Sequence, residues 1–256
     1  MKMRKLLAGF LIGIMTLTAT GCSSDDIQKI IESDKTGEID WGAIIPEKDD
    51  TVQTYTTDED LTTWVYSGKA WEEVNNNEPT FTAEELEEAK KSYETYGEFD
   101  SLGRCTTAVA SVGQDIMPTD KRGSISSVKP TGWVNKKYDK ELVEGGYLYN
   151  RCHLIGYQMT GENANANNLI TGTRYLNIDG MLDFEDEVTQ YVKDTGNHVL
   201  YRVTPVYKDD ELVARGVHME GYSVEDDGDG VSFNVYAYNV QPGIVIDYAT
   251  GESELE

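Results

Sequence analysis

One histidine in this chain stands among residues that could share a reaction. His153 follows Asn150, Arg151 and Cys152 at the end of a strand-like run, Tyr147–Ile155, and an asparagine-rich loop comes next. Asn177 lies 24 residues further on, and Glu185 eight beyond that. Eight residues are about two helical turns, roughly 12 Å along the axis. An imidazole, a neutral amide oxygen and a carboxylate suit phosphodiester hydrolysis. That reaction needs a base near neutrality to take a proton from water, which histidine provides. It also needs positive charge at the phosphate and at the leaving oxygen, which a divalent metal supplies. An asparagine ligand leaves the ion's charge uncompensated by protein, and Mg²⁺ readily keeps several waters. The planar fork of Arg151 fits phosphate oxygens. A lone histidine at a strand end is ordinarily structural; Arg151 and Asn177 select the catalytic reading.

The elements that must position these groups are legible in outline. Gly161–Asn168 reads as a polar loop and Leu169–Thr171 as a short strand. Tyr175–Lys193 is helical, because Met181, Phe184, Val188 and Tyr191 or Val192 recur at three- and four-residue spacing. Three strands follow, at His198–Tyr207, Leu212–Met219 and Val231–Tyr238, with a turn at Asp226–Gly230. Upstream, Trp64 to Trp71 is strand-like and Asn75–Pro79 breaks it. Thr82 with Glu85 forms a capping box that opens a helix expected to run to about Tyr96. Strands with helices interspersed, without βαβ alternation, indicate an α+β fold.

Composition removes several alternatives. The chain has 256 residues and a net charge of −24, with 46 acids against 22 bases. A uniformly basic nucleic-acid binder is excluded, but a local basic cleft is not. Residues 101–178 carry +3, whereas 23–100 carry −16 and 179–256 carry −14. The middle stretch alone suits an anion. Lys121, Lys129, Lys136, Lys137 and Lys140 could track a backbone there, or simply be solvated. There is no phosphate-binding Gly-x-x-x-x-Gly-Lys loop and no Gly-x-Ser-x-Gly elbow. The acidic turn Glu225–Gly230 places Tyr236 where a calcium loop needs a bidentate Glu. His198 and His218 read as strand residues.

The N-terminus carries Lys2, Arg4 and Lys5, then an uncharged run from Leu6 to Thr20, then Gly21-Cys22. That is a secretory pattern, and the run is shorter than the roughly 20 residues of a membrane span. Ala19-Thr20-Gly21-Cys22 resembles the bacterial lipoprotein signal, which predicts lipidation of Cys22, with plain secretion as the alternative. The expected organisation is a signal over 1–21, an acidic tether over 22–60 with a short helix at Ile27–Ile31, and a domain over 61–252. Cys105 and Cys152 then remain. Outside the cell they either form one bridge or stay buried as reduced thiols, and spacing does not choose between the two.

Three stretches together resemble a known family: Asn150-Arg151-Cys152-His153, Asn168-Leu169-Ile170-Thr171, and Asn177-Ile178-Asp179-Gly180-Met181-Leu182-Asp183-Phe184-Glu185. They look like the core of the DNA/RNA non-specific endonucleases. That family's signature is Asp-Arg-Gly-His; here Asn150 and Cys152 replace the Asp and Gly. Further stretches are similar to the Gram-positive secreted and DNA-entry nucleases of the family. These are Leu102–Cys105, Met117–Thr119, Arg122 with Lys129–Trp133, and Asn239–Ile244. The resemblance covers roughly Trp64 to Gly251.

The resemblance implies a ββα-metal nuclease fold, with a mixed or antiparallel sheet flanked by helices. It implies that His153 activates water, that Asn177 ligates Mg²⁺ (Mn²⁺ as a substitute), and that Glu185 orients metal-bound water. Arg151 would contact phosphate, and Asn168 would hold the site in shape. Arg122 stands near where the family often places another phosphate-binding arginine; Arg174, one turn before Asn177, is a similar expectation from spacing. The activity implied is cleavage of DNA and RNA to 5′-phosphate ends, with no obligate protein partner, by an enzyme held to the outer face of the membrane through its lipid. Two rivals remain: a non-catalytic lipoprotein binding nucleic acid or another anionic polymer, and a metal-dependent hydrolase of some other phosphodiester.

Overall fold

In a computed structural model, which describes residues 60–256, antiparallel pairing dominates. The signal segment, Cys22 and the acidic tether with its expected helix lie outside the described residues. The strands are β1 (Trp71–Glu73), β2 (Tyr93–Tyr96), β3 (Ala108–Val112), β4 (Tyr149–His153), β5 (Leu169–Thr173), β6 (Val199–Val206), β7 (Gly216–Ser223), β8 (Ser232–Tyr238), β9 (Ile244–Ile246) and β10 (Ser253–Leu255). The α-helices are α1 (Ala83–Glu88), α2 (Tyr157–Thr160) and α3 (Leu182–Thr195). Six strands make one sheet in the order β1-β8-β7-β6-β3-β2, while β4-β5 and β9-β10 form separate two-stranded ladders. The fold is α+β, as the strand and helix pattern predicts.

The main sheet is buried by α3. Met181, Val188 and Val192 face Tyr201, Val217, Met219, Phe233 and Val235 in one apolar cluster. Each such aliphatic side chain contributes about 1.5–3 kcal/mol when fully buried. The stripe read from sequence is therefore the core face of α3. The helix stops at Gly196, whose φ of 76° is the left-handed conformation that closes a helix and that lacks strain only in glycine.

Two expectations for the N-terminal half need correction. The capping box forms, with Glu85 N–H donating to Thr82 Oγ1 and Thr82 N–H to Glu85 Oε2. But α1 ends at Glu88, and Tyr93–Tyr96 is strand β2, paired with β3. Aromatic and β-branched residues (Tyr93, Thr95, Tyr96) fit a half-buried sheet edge better than a helix, and the ladder overrides the helical start. Trp64–Ala70 is irregular; pairing begins only at Trp71, opposite Ala237. At the C-terminus β10 pairs with β9, with Ser253 opposite Ile246.

The long stretch between β3 and β4 contains only isolated pairing, at Lys137 with Tyr147. Loops of that length usually carry function. Arg151 pins it to β4: Nε donates to Val128 O, Nη2 to Ser126 O at 3.0 Å, and the guanidinium lies 4.2 Å from the Trp133 ring centroid.

Candidate active site

The site is built on the hairpin β4–β5 and the helical segment after it. Cys152 faces Ile170 and Asn150 faces Gly172 across the ladder. Thr173 Oγ1 accepts from Leu176 N–H at 2.9 Å and starts a π-helical turn, Leu176–Met181, that runs into α3. Such wide turns recur at functional sites because they redirect side chains. Asn177 lies in this one. Gly180 allows it to approach the sheet, since a Cβ there would stand 3.3 Å from the Ala237 Cβ. Asn239 clamps β5 in place. Its Oδ1 accepts from Thr173 N–H at 2.8 Å, and its Nδ2 donates to Thr171 O at 3.0 Å and Ala214 O at 2.8 Å.

His153 ends β4 and is 6% exposed. Its Nε2 is 2.8 Å from Asn163 O. A carbonyl only accepts, so Nε2 carries the proton and Nδ1 the lone pair. Arg122 Nη2 donates to that Nδ1 at 3.1 Å. Burial, joined by the Arg122 cation, lowers the His153 pKa to about 4 against the opposing bond to Asn163. The imidazole is thus neutral, as a base must be. Asn168 is fully buried and holds the turn after β4: its Oδ1 accepts from Ile155 N–H at 2.8 Å, and its Nδ2 donates to Ile155 O at 3.0 Å.

Glu185 lies on α3, 8% exposed. Burial pushes its carboxyl up to about 8; Asp186 adds to the rise, while Gln158 and Arg122 oppose it. Gln158 Nε2 donates to its Oε2 at 3.1 Å, and a Cβ on Gly156 would stand 2.9 Å from its Oε1. Asn177 Oδ1 accepts from Cys152 Sγ at 3.1 Å. Arg122 acts electrostatically on His153, Cys152 and Glu185, and lines one cleft with Asn177. The sequence-predicted base, amide and carboxylate therefore converge on one neighbourhood.

That cleft has a volume of about 530 Å³, and Arg122, Asn150, Arg151, Arg174 and Asn177 are among its lining residues. Arg174 donates through Nη2 to exposed Glu144 at 3.3 Å. Arg151 lies in the cleft with its Nε and Nη2 already engaged by the loop. The lysines are less involved: Lys136 donates to Ser253 O, and Lys137 stands 4.8 Å over the Tyr147 ring. His218, in β7, pairs with Asn234, whereas His198 stands just before β6 and pairs with Glu225, so only His218 is a strand residue.

The bridge between Cys105 and Cys152 is not formed; both are free and buried. Their sulfurs point to different partners. Cys105 faces Ala166 O and Leu169 O, and Cys152 faces Asn177. Burial drives both thiol pKa values up, that of Cys105 to about 11. Sequence reasoning missed Asn163, which fixes the tautomer through its backbone, and also Gln158 and Asn239. The asparagine-rich loop was the only signal for the first, since a backbone carbonyl leaves no mark on residue type.

Among the described residues no group of three or more His, Cys, Asp and Glu could cage a metal. The donors present are one neutral amide oxygen and one buried carboxylate. That set fits a hard cation that keeps most of its water, and such a cation would favour the ionised form of Glu185.

A strand hairpin followed by a helix, with the imidazole on the first strand and the amide at the helix start, defines the ββα-metal class of nuclease fold. The chain belongs to the DNA/RNA non-specific endonuclease family, which it matches over residues 84–225. It is therefore a hydrolytic endonuclease. NucA from Streptococcus agalactiae with magnesium ion bound is 30% identical, at a TM-score of 0.63, over 72% of this chain and 86% of that one. The same nuclease with no metal bound gives 29% and 0.62. Sda1 nuclease with bound zinc ion is 26% identical, at a TM-score of 0.54, over 64% of this chain and 82% of that one.

Proposed function

We propose that this protein is a Mg²⁺-dependent, sugar-non-specific endonuclease that cuts DNA and RNA to 5′-phosphate and 3′-hydroxyl ends. The observation that carries this reading is the tautomer of His153. Its Nε2–H is committed to Asn163 O, which leaves the lone pair on Nδ1, where Arg122 donates until phosphate draws it away, to receive a proton. Asn177 would hold the cation through Oδ1, and Glu185 would orient its waters. NucA with magnesium bound supports that choice of metal, and Sda1 with zinc bound supports a divalent site in general. When bound, the cation supplies positive charge to the phosphate and to the leaving oxygen.

His153 Nδ1 takes the proton of the attacking water. The hydroxide forms the new P–O bond as the bond to the 3′ oxygen breaks, and that oxygen takes a proton from a solvent water to become the 3′-hydroxyl, while His153 later returns its proton to solvent. Arg122 moves from Nδ1 to the phosphate and stabilises the charge building on its oxygens. Arg151 holds the loop that carries Arg122 and keeps its charge beside the strand. Only backbone chemistry is involved, so sequence preference is weak. The −24 charge repels a polyanion at long range, which fades beyond a Debye length of about 8 Å. Affinity is accordingly modest.

The N-terminal pattern supports export, lipidation at Cys22 and anchoring to the outer face of the cell membrane by an acidic tether over 22–60, with the nuclease domain following. The deciding experiment is plasmid nicking with Mg²⁺, with and without EDTA. His153→Ala abolishes nicking and Asn177→Ala cripples it. Near-normal nicking by His153→Ala overturns the mechanism, and tight binding without turnover in the wild type turns the reading into a polyanion-binding lipoprotein.

A further inference from the structure

The catalytic reading leaves two buried donors in the cleft unexplained. Asn150 Nδ2 and Arg174 Nε are both shielded from solvent and without a hydrogen-bond partner among the described residues. Both belong to residues lining the cleft that also holds Arg122 and Asn177. Buried N–H groups normally find an acceptor, because leaving one unpaired keeps the whole desolvation cost. Two unpaired donors on the cleft's lining, which carries no unpaired acceptor, call for an anion. Such an anion would meet no opposing charge from the cleft wall, since none of its lining residues is a carboxylate, on a chain of net charge −24.

The backbone explains why these two groups share a wall. Asn150 sits opposite Gly172 in the β4–β5 ladder, and Arg174 follows two residues later, with its N–H on Leu148 O at 2.9 Å. Arg174 stands one residue past β5, but its N–H on Leu148 O carries the pairing one step further, so Asn150 and Arg174 are diagonal neighbours. Gly172 places no side chain between them. Glu144, on the exposed side, holds Nη2 of Arg174 and leaves Nε turned inward. Asn150 and His153 are three residues apart on β4, about 10 Å at strand rise, so one phosphate group does not reach both.

We propose that Asn150 and Arg174 form a second phosphate subsite, which grips a non-scissile phosphodiester of the bound strand and so makes the enzyme prefer polymers to small diesters. Asn150 stands where the resembled signature has Asp, and its amide donates to a phosphate that a carboxylate would repel. This inference rests on the nuclease reading above.

The test compares two substrates. Bis(p-nitrophenyl) phosphate has a single phosphate and cannot reach a second subsite, whereas a single-stranded 20-mer can. For Asn150→Asp and Arg174→Ala, the loss in kcat/KM on the 20-mer should exceed the loss on the small diester by tenfold or more, chiefly through KM. Arg174→Lys keeps the charge but not Nε, and should recover only part of it. Binding of a fluorescent 20-mer in EDTA gives a second readout that needs no turnover. There Arg174→Ala should lower the slope of log K against log salt by about 0.7, one single-strand phosphate contact. Equal losses on the two substrates, or an unchanged slope, overturn the subsite. If the wild type cuts neither substrate, the nuclease reading falls, and the binding slopes still decide the subsite.

Discussion

Arg122 Nη2 rests 3.1 Å from His153 Nδ1, on the lone pair that takes a proton from water in the proposed mechanism. The other ring nitrogen is tied to Asn163 O, so both nitrogens of the imidazole are engaged. In the proposed mechanism substrate phosphate competes for the guanidinium, and its arrival releases Nδ1. Thirty-one residues separate the two partners, and the intervening chain is mostly irregular.

This pairing predicts the pH profile. With the His153 pKa lowered to about 4, first by burial and then by the Arg122 cation, the base is neutral above that pH and protonated below it. The acid limb of kcat/KM on a small diester should fall well under the ordinary histidine value of 6.5. In Arg122→Ala the limb moves upward but stays under 6.5, because burial is the larger cause. Activity also drops at least tenfold through loss of the phosphate contact. A wild-type limb at 6.5 would contradict this account.

Glu185 predicts a stability trend of the opposite kind. Its folded pKa of about 8 exceeds the ordinary 4.5, so the folded state holds the extra proton between those values. Stability is full below about pH 4.5 and falls as pH rises toward 8. In EDTA, differential scanning should show Glu185→Gln gaining Tm over wild type as pH goes from 5 to 8.5. Added Mg²⁺ should narrow that gap by favouring the carboxylate. A pH-independent difference between the two proteins counts against the buried-acid description.

Cys152 orients the Asn177 amide through its S–H. Partners that hold a metal ligand typically change affinity by tenfold or more when removed. Calorimetry should find Mg²⁺ binding about tenfold weaker in Cys152→Ala and near wild type in Cys152→Ser, which keeps a donor. Burial holds the thiol protonated, so iodoacetamide should label it only on unfolding. Rapid labelling of the native protein would be inconsistent with this placement.

Asn168→Ala removes both bonds to Ile155 and leaves its N–H and C=O unpaired in the core. The expected cost is about 2 kcal/mol or more. For a domain of this size that is a fall in Tm of roughly 4–8 °C. Activity should decline with it, because the turn after His153 loosens; an unchanged Tm would remove the structural role.

Residue type and spacing alone singled out His153 and Asn177 as the candidate base and amide ligand, and determined the capping box at Thr82 and the apolar stripe of α3. These signals are local: a cap is satisfied within one turn, and a stripe repeats every three to four residues. Tertiary packing decided the rest. Tyr93–Tyr96 became a strand because β3 offered a ladder, and α1 ended early. Cys105 and Cys152 are free and buried, each sulfur facing its own acceptor. Several arginines lie in the middle of the chain, yet Arg122 alone hydrogen-bonds the base, and Asn150 and Arg174 alone carry unpaired buried donors in the cleft. Such choices depend on where a long irregular segment comes to rest against a hairpin. The contacts that place it lie tens of residues apart, and no short-range pattern records them.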